Sequence, residues 1–141
     1  MTIRSATAAD LAGIALIQSA APEASHWDTL SYLDYACMVA VDGTTEDGGA
    51  VVGFLVFREI GPDEHEILNL AVHPGARRRG VARQLLMAVL APGRGKWFLE
   101  VRAANLGAIQ LYENLGFRQA ARRVGYYLNP PEAGIVMRFD S

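Results

Sequence analysis

The sequence predicts a mixed α/β (α+β) fold, with one twisted, mostly antiparallel sheet of six to seven strands and about four flanking helices. Up to residue 72, short β-rich runs alternate with turn sequences, which is typical of an antiparallel meander. After residue 72 the order becomes helix, strand, helix, strand, and such an order requires crossovers and some parallel pairing. The 141 residues are 51% hydrophobic, which is enough for one large buried core.

The composition also limits the class of protein. We expect a single domain over residues 1–141, because that length is ordinary for one domain. No apolar run approaches the roughly 20 residues that span a bilayer, and the first residues lack the pattern of a signal peptide. We therefore expect a cytoplasmic protein with no membrane partner. The one cysteine, Cys37, excludes an internal disulfide, and no Cys/His spacing suggests a metal site, so we expect no metal.

The first 72 residues are predicted to contain two helices among four strands. Thr7 is the expected N-cap of the first helix, because an acid, Asp10, follows three residues later. Residues 21–25 end that helix, and the second helix is predicted over residues 28–36. The predicted strands cover residues 2–6, 38–41, 50–57 and 66–72, with residues 42–49 forming a hairpin loop.

The second half is predicted to alternate between helices and strands. Apolar residues at helical spacing predict a helix over residues 80–90, which Pro92 and Gly93 end. A strand over residues 96–101 and a helix over residues 105–115 follow. Two further strands, over residues 117–124 and 134–139, complete the predicted sheet.

The charge is distributed unevenly along the chain. Residues 1–66 contain two basic residues against eleven acidic ones, a net charge of −9, whereas residues 67–141 carry +7. Either the two halves simply neutralise each other in the folded domain, or the basic half binds a polyanionic ligand and the acidic half faces a cationic substrate. Net charge alone does not decide between these interpretations.

The most informative stretch is residues 69–82, which read NLAVHPGARRRGVA. A predicted strand enters a basic, glycine-containing loop that opens a helix. Unpaired backbone N–H groups and the positive end of the helix dipole make such a place an anion site. Gly80 permits close approach of a phosphate, and the arginines add bidentate donors. A solvated basic face is the alternative interpretation.

These residues resemble the GNAT superfamily of N-acetyltransferases. The pyrophosphate loop of that superfamily follows Q/R-x-x-G-x-G/A, which residues 77–82 match as RRRGVA. Residues 99–105 (LEVRAAN) and 108–117 (AIQLYENLGF) look like the RimI-type branch, which acetylates the N-terminal alanine of a small-subunit ribosomal protein. The resemblance is specific over residues 66–139 and weaker over residues 1–65.

The resemblance implies acetyl-CoA as the donor of an acetyl group that is transferred directly to an amine. Backbone groups of Leu70, Ala71 and Val72 are expected to bind the pantetheine arm. The pyrophosphate would be held by the loop of Arg77, Arg78, Arg79, Gly80, Val81, Ala82 and Arg83. Asn105 is expected to contact the CoA arm, although a helix N-cap is an alternative role for it.

The resemblance also implies a general base and a general acid. Glu100 is the expected base, because the attacking amine must lose a proton. Its alternative role is an ion pair with Arg102 or another arginine, since a period of two places Glu100 and Arg102 on one face of the strand. Glu66 is the second candidate base. Tyr112 is the expected acid that protonates the leaving thiolate, although a tyrosine at helical spacing is often a core residue.

The identity of the acceptor is predicted least specifically. The first expectation is the N-terminus of a ribosomal protein, and the alternative is a small amine or a protein lysine. A catalytically silent acyl-CoA sensor is disfavoured because Glu100 and Tyr112 are both present. We expect no nucleic-acid partner, because no aromatic platform accompanies the arginines. We expect a monomer or weak dimer, and Trp27, Tyr126 and Tyr127 either line the acceptor entrance or pack internally.

Overall fold

Seven strands and three α-helices are present in the computed structural model, which describes residues 1–20, 28–43, 49–90, 95–128 and 131–140. The helices are α1 (Leu11–Ala20), α2 (Val81–Val89) and α3 (Leu106–Asn114), and short 3₁₀ helices cover Ala8–Asp10, Thr29–Asp34 and Pro74–Ala76. The strands are β1 (Thr2–Ser5), β2 (Ala36–Asp42), β3 (Ala50–Gly61), β4 (Glu64–Val72), β5 (Lys96–Arg102), β6 (Arg118–Leu128) and β7 (Pro131–Asp140).

The strand order is β1-β2-β3-β4-β5-β7-β6 in one mixed sheet, which confirms the predicted fold class. The pairs β1–β2, β2–β3, β5–β7 and β6–β7 are antiparallel, whereas β4 and β5 are parallel. The second predicted helix forms as 3₁₀ helix Thr29–Asp34, after which β2 begins at Ala36 rather than at residue 38. The predicted helix end at residues 21–25, loop residues 44–48, Pro92 and Gly93 lie outside the described residues.

The chain divides by its contacts into two compact units, so the prediction of one domain stays a prediction. The first unit comprises Met1–Arg58 and Leu68–Val89. Its apolar core packs helix α1 and the 3₁₀ helix Thr29–Asp34 against strands β2, β3 and β4. The buried members are Ile14, Ile17, Tyr32, Cys37, Val39, Val41, Phe54, Val56 and Ala71. Burial raises the pKa of the Cys37 thiol to about 11, which keeps it protonated.

The second unit comprises Glu59–Ile67 and Leu90–Ser141. Within it, residues 64–66 of β4 pair in parallel with residues 96–98 of β5, and β5 also pairs along its length with β7. Side chains of β5 alternate between the two faces of the sheet. Trp97, Leu99 and Val101 are buried on one face, which places Glu100 and Arg102 together on the other.

A buried carboxylate joins the N-terminal strand to the start of the first helix. Asp10, whose side chain is 7% exposed, accepts hydrogen bonds from Arg4 at 2.8 and 3.0 Å and from the Thr7 N–H at 2.7 Å. The Arg4 hydrogen bonds are the main reason that the pKa of Asp10 lies below its usual value. The predicted pairing of Thr7 with Asp10 at a helix start is thus confirmed.

We expect Asp10→Asn to destabilise the protein by about 1–3 kcal/mol near neutral pH, because an amide cannot accept all of these hydrogen bonds. A lowered pKa contributes stability above the unfolded pKa of about 4, and this contribution disappears as the pH falls through the folded value. Urea unfolding should therefore show a difference from wild type at about pH 7 that shrinks at about pH 3. Asp34→Asn, at an exposed carboxylate, is the control. An equal deficit at both pH values would contradict this account.

Candidate active site

The segment from β4 to α2 forms a tight, solvent-exposed connection in the first unit. The His73 Nδ1 accepts a hydrogen bond from the Gly75 N–H at 3.0 Å and so caps the 3₁₀ helix Pro74–Ala76. Ala76, which is 2% exposed, anchors the end of this turn. The chain then passes through three exposed arginines and Gly80 before α2 begins at Val81.

Helix α2 is held in place by a glycine in the sheet. A Cβ atom on Gly53 of β3 would lie 2.7 Å from Val81 Cγ1 and 3.2 Å from Leu85 Cδ1. The first turn of α2 can therefore pack directly on the β3 backbone only because residue 53 has no side chain. The buried face of the helix also includes Leu86 and Val89. This packing fixes where the exposed N-terminus of α2 points.

The backbone of the loop before α2 is held in an unusual conformation. Arg78 has φ +65° and Gly80 has φ +74°, both in the left-handed region. For Arg78 this conformation costs about 1–2 kcal/mol, whereas Gly80 adopts it freely. The Gly80 carbonyl accepts the first helical bond, from the Gln84 N–H at 3.0 Å, so Gly80 occupies the N-cap position. The first N–H groups of α2 then lack intrahelical partners and can bind an anion.

The arginines of the loop are not equivalent. Arg79 forms a 2.8 Å ion pair with Asp42 at the end of β2, and this contact is the main reason that the pKa of Asp42 is lowered. Arg79 thereby ties the loop to β2. Arg77, Arg78 and Arg83 are exposed beside the α2 N-terminus. A Cβ on Gly80 would meet no atom of the described residues within 4 Å, so the space over this glycine is open among them.

Strand β4 presents its backbone in alternating directions. The His73 N–H donates to the Val52 carbonyl of β3 at 2.8 Å, so the Val72 N–H points to the opposite edge. The Leu70 N–H points the same way as that of Val72 but already donates to Asn69 Oδ1 at 3.0 Å. Among Leu70, Ala71 and Val72, the Val72 N–H is therefore the one that points away from β3 and is not engaged by Asn69.

A buried polar network fixes Asn69. Its Nδ2 donates to the Tyr32 hydroxyl at 3.0 Å, and that hydroxyl donates to Gln18 Oε1. The three residues are 6%, 0% and 7% exposed, so these bonds are protected from water. Burial is the main reason that the pKa of Tyr32 is raised, which keeps its hydroxyl a donor. The network connects α1 and the 3₁₀ helix Thr29–Asp34 to the β4 backbone.

In the second unit, Asn105 begins helix α3. Its Oδ1 accepts from the Ala108 N–H at 3.2 Å, which confirms the N-cap role while leaving its amide NH₂ as a donor for other groups. Glu132 holds the preceding loop, because it accepts from the Ala104 N–H at 2.6 Å and from Arg102 at 3.3 Å. Arg102 is thus paired with Glu132.

The two oxygens of the Glu100 carboxylate differ in their hydrogen bonds. Its Oε1 accepts from Arg123 Nη1 at 3.2 Å, so an alternative ion pair exists, but its partner is Arg123 on β6 rather than Arg102. Its Oε2 is buried and accepts no hydrogen bond from the residues that the structure describes. A buried acceptor without a donor is costly in a folded protein, and such an atom indicates a site for an additional hydrogen-bonding group.

Tyr112 is 9% exposed on helix α3, where its ring lies edge-on to Phe117 with centroids 5.8 Å apart. Its backbone carbonyl accepts from the Phe117 N–H at 3.0 Å, which ends the helix. The ring therefore does belong to the core, and a catalytic role for its hydroxyl stays a prediction. Glu66 lies on β4 opposite Phe98 in the parallel register, half-buried.

The predicted site residues thus fall into two groups, each within its own unit. The cofactor loop and residues 70–72 belong to the first unit, while Asn105, Glu100 and Tyr112 belong to the second. Supporting residues that were not predicted include Asp42, Gly53, Arg123 and Glu132. Trp27 and the side chains of Tyr126 and Tyr127 lie outside the described part of the structure.

Within the described residues, no group of three or more His, Cys, Asp or Glu side chains is placed to hold a metal ion. None of the described helices has the length and apolar character needed to cross a membrane.

The sequence profile of the acetyltransferase (GNAT) family matches residues 11–117, which is more than half of the chain. The chain therefore belongs to this family.

Among its relatives, N-alpha-acetyltransferase RimI of Mycobacterium tuberculosis is 36% identical over 98 residues, covering 67% of this chain and 62% of the relative. The ribosomal protein bS18-alanine N-acetyltransferase of Salmonella typhimurium is 45% identical over 69 residues, which cover 46% of this chain and 47% of the relative. The matches span less than two thirds of either relative. The crystal structure of the ribosomal-protein-S18-alanine N-acetyltransferase from Escherichia coli is 29% identical and superposes with a TM-score of 0.84, covering 99% of this chain and 92% of that chain.

We expect Gly80→Val to weaken the binding of CoA by tenfold or more, because the new side chain would occupy the space over the loop. Gly125→Val is the matched control, since Gly125 has φ +68° and a Cβ there also meets no described atom within 4 Å, but it lies in β6. Both variants should lose about 1–2 kcal/mol of stability from backbone strain. Calorimetric titration should show weaker CoA binding for Gly80→Val alone, and unchanged affinity in that folded variant would show that the loop is not the phosphate site.

Proposed function

We propose that this protein transfers the acetyl group of acetyl-CoA directly to a primary amine, and that the amine is the N-terminal alanine of a small-subunit ribosomal protein. The observation that carries the proposal is the open, arginine-rich loop at the N-terminus of α2, which matches the pyrophosphate motif of the acetyltransferase family. A strained loop that leaves backbone donors exposed is suited to binding a diphosphate.

The donor side of the proposed site uses the first unit. The α2 N-terminus and the loop of residues 77–83 bind the pyrophosphate, with Arg77, Arg78 and Arg83 adding positive charge. Arg79 contributes through its ion pair with Asp42, which fixes the loop before the donor binds. The outward Val72 N–H binds the pantetheine arm. A contact between Asn105 and the CoA arm stays a prediction from the resemblance, and the amide NH₂ of Asn105 is the group that would make it.

The proposed reaction needs one proton acceptor and one proton donor. A protonated amine has no lone pair, so it must lose a proton before its nitrogen attacks the thioester carbonyl carbon. Glu100 accepts this proton at Oε2, directly or through a water molecule, because Oε2 is the carboxylate oxygen that has no hydrogen bond to the described residues. Glu66 is the second candidate for this role, and its weaker support is that it lies on β4, where it pairs with Phe98 of β5.

The second half of the reaction releases CoA. A new C–N bond has formed, the C–S bond breaks, and the departing thiolate takes a proton from the Tyr112 hydroxyl. A tyrosine hydroxyl is both a hydrogen-bond donor and a weak acid, which are the properties that this step requires. The proton accepted by Glu100 then restores the tyrosine through solvent. The nitrogen of the new amide releases its remaining extra proton to solvent, so the products are an amide, a free thiol and one proton.

The choice of a ribosomal N-terminus as the acceptor is supported by the names of the relatives. Two are named as alanine N-acetyltransferases of ribosomal protein bS18 or S18, and one of these superposes along nearly the whole chain. The acidic first half, with a net charge of −9 over residues 1–66, suits a basic peptide such as the start of a ribosomal protein. A cytoplasmic location and a monomeric or weakly dimeric state remain predictions from the sequence.

The acceptor is tested by mass spectrometry of peptides incubated with acetyl-CoA. We expect an Ala-starting peptide with a ribosomal N-terminal sequence and an internal lysine to gain one acetyl group at its α-amine. The same peptide with a blocked α-amine is the control, and it should remain unmodified. Acetylation confined to the lysine, or to a small polyamine included in the same series, would contradict the proposed acceptor while leaving acetyl transfer intact.

A further inference from the structure

The Glu100 side chain reaches across a neighbouring strand through a gap that a glycine leaves. Gly134 on β7 lies opposite Arg102 of β5 and Arg123 of β6, so β7 separates β5 from β6 at this level. A Cβ on Gly134 would lie 3.2 Å from Glu100 Cδ and 3.2 Å from Oε2. The carboxylate therefore occupies the space over Gly134 that a side chain would fill.

Arg123 meets the carboxylate from the far side of that gap. Paired residues of neighbouring antiparallel strands project to the same face, so Arg123 shares a face with Arg102 and Glu100. Its Nη1 donates to Glu100 Oε1 at 3.2 Å. The Arg102 guanidinium on this face is engaged by Glu132 at 3.3 Å. Arg123 thus contacts Glu100, and Arg102 contacts Glu132.

The two ends of this ion pair differ in exposure. The Arg123 side chain is 56% exposed, whereas that of Glu100 is 18% exposed. Strong stabilisation of the fold is not expected from a pair that is partly in water. The pair does, however, hold one carboxylate oxygen and leave the other buried and without a donor among the described residues. The ion pair therefore matters more for the orientation of the Glu100 carboxylate than for the stability of the fold.

We propose that Arg123 is a positioning residue that fixes the Glu100 carboxylate over Gly134 and presents Oε2 as the one oxygen that accepts the proton of the amine. This inference rests on the proposed function, in which Glu100 is the base. Arg123 acts through Glu100 and takes no proton itself. Gly134 supplies the space, because a side chain there would displace the carboxylate from this position.

The inference is tested with steady-state kinetics on the Ala-starting peptide. Arg123→Ala removes the donor, Arg123→Met removes it while keeping side-chain length, and Arg123→Lys restores one N–H donor. Arg122→Ala is the matched control, because Arg122 is an exposed arginine on the same strand that pairs with Ile135 and projects to the opposite face. Circular dichroism establishes that each variant is folded.

We expect Arg123→Ala and Arg123→Met to lose about 10- to 100-fold in kcat, because a base displaced by about 1 Å can cost about 10²-fold in rate. The KM for acetyl-CoA should stay within about twofold, because donor binding does not involve Arg123. Arg123→Lys should recover most of kcat, and Arg122→Ala should match wild type. In the Glu100→Gln background, Arg123→Ala should cause no further loss, because no base remains to be positioned.

Three outcomes would overturn the inference. Full kcat in Arg123→Ala or Arg123→Met, with Glu100→Gln inactive, would leave the proposed function standing and remove only the role of Arg123. A further loss on adding Arg123→Ala to Glu100→Gln would mean that Arg123 acts independently of the carboxylate. Absence of turnover by the wild type towards every amine would overturn the proposed function, and this inference would fall with it.

Discussion

One oxygen of the Glu100 carboxylate is buried and accepts no hydrogen bond from the described residues, and the proposed chemistry depends on this atom. A buried acceptor without a donor destabilises a fold by about 1–3 kcal/mol, so its presence requires compensation by surrounding contacts. The compensation here is geometric: Gly134 provides the space, and Arg123 holds the second oxygen. An acceptor kept in this state is ready to take a proton from an incoming amine.

The other features of the proposed site shape the backbone of the loop before α2 and hold that helix in place. Gly53 allows α2 to pack on the sheet, the left-handed residues Arg78 and Gly80 shape the loop before it, and the Arg79–Asp42 pair anchors that loop. None of these residues contributes reactive chemistry. Together they fix the direction of the α2 N–H groups before a ligand arrives, which lowers the ordering cost of binding an anion.

The sequence was sufficient to predict the fold class and most of the helices and strands, because turn residues and apolar periodicity are local signals. It was also sufficient to identify Asn105 as an N-cap and Thr7 with Asp10 as a helix start. It did not identify the partner of Glu100, because Arg102 is close in sequence whereas Arg123 is brought near only by the β5-β7-β6 strand order. Asp42 was missed for the same reason, since it lies 37 residues from Arg79. The glycines at 53 and 134 carry no local signal, because their importance lies in what packs over them.

The most direct measurement compares kcat of Glu100→Gln and Tyr112→Phe with wild type from about pH 6.5 to about pH 9.5, a range that spans the α-amine pKa of about 8. Both variants should lose about 10²- to 10⁴-fold at neutral pH while still binding acetyl-CoA. The Glu100→Gln deficit should shrink as the pH rises, because the amine then loses its proton without help. The Tyr112→Phe deficit should persist, because a higher pH supplies no proton to the leaving thiolate. Full activity in Tyr112→Phe, or the same pH dependence in both variants, would contradict the account.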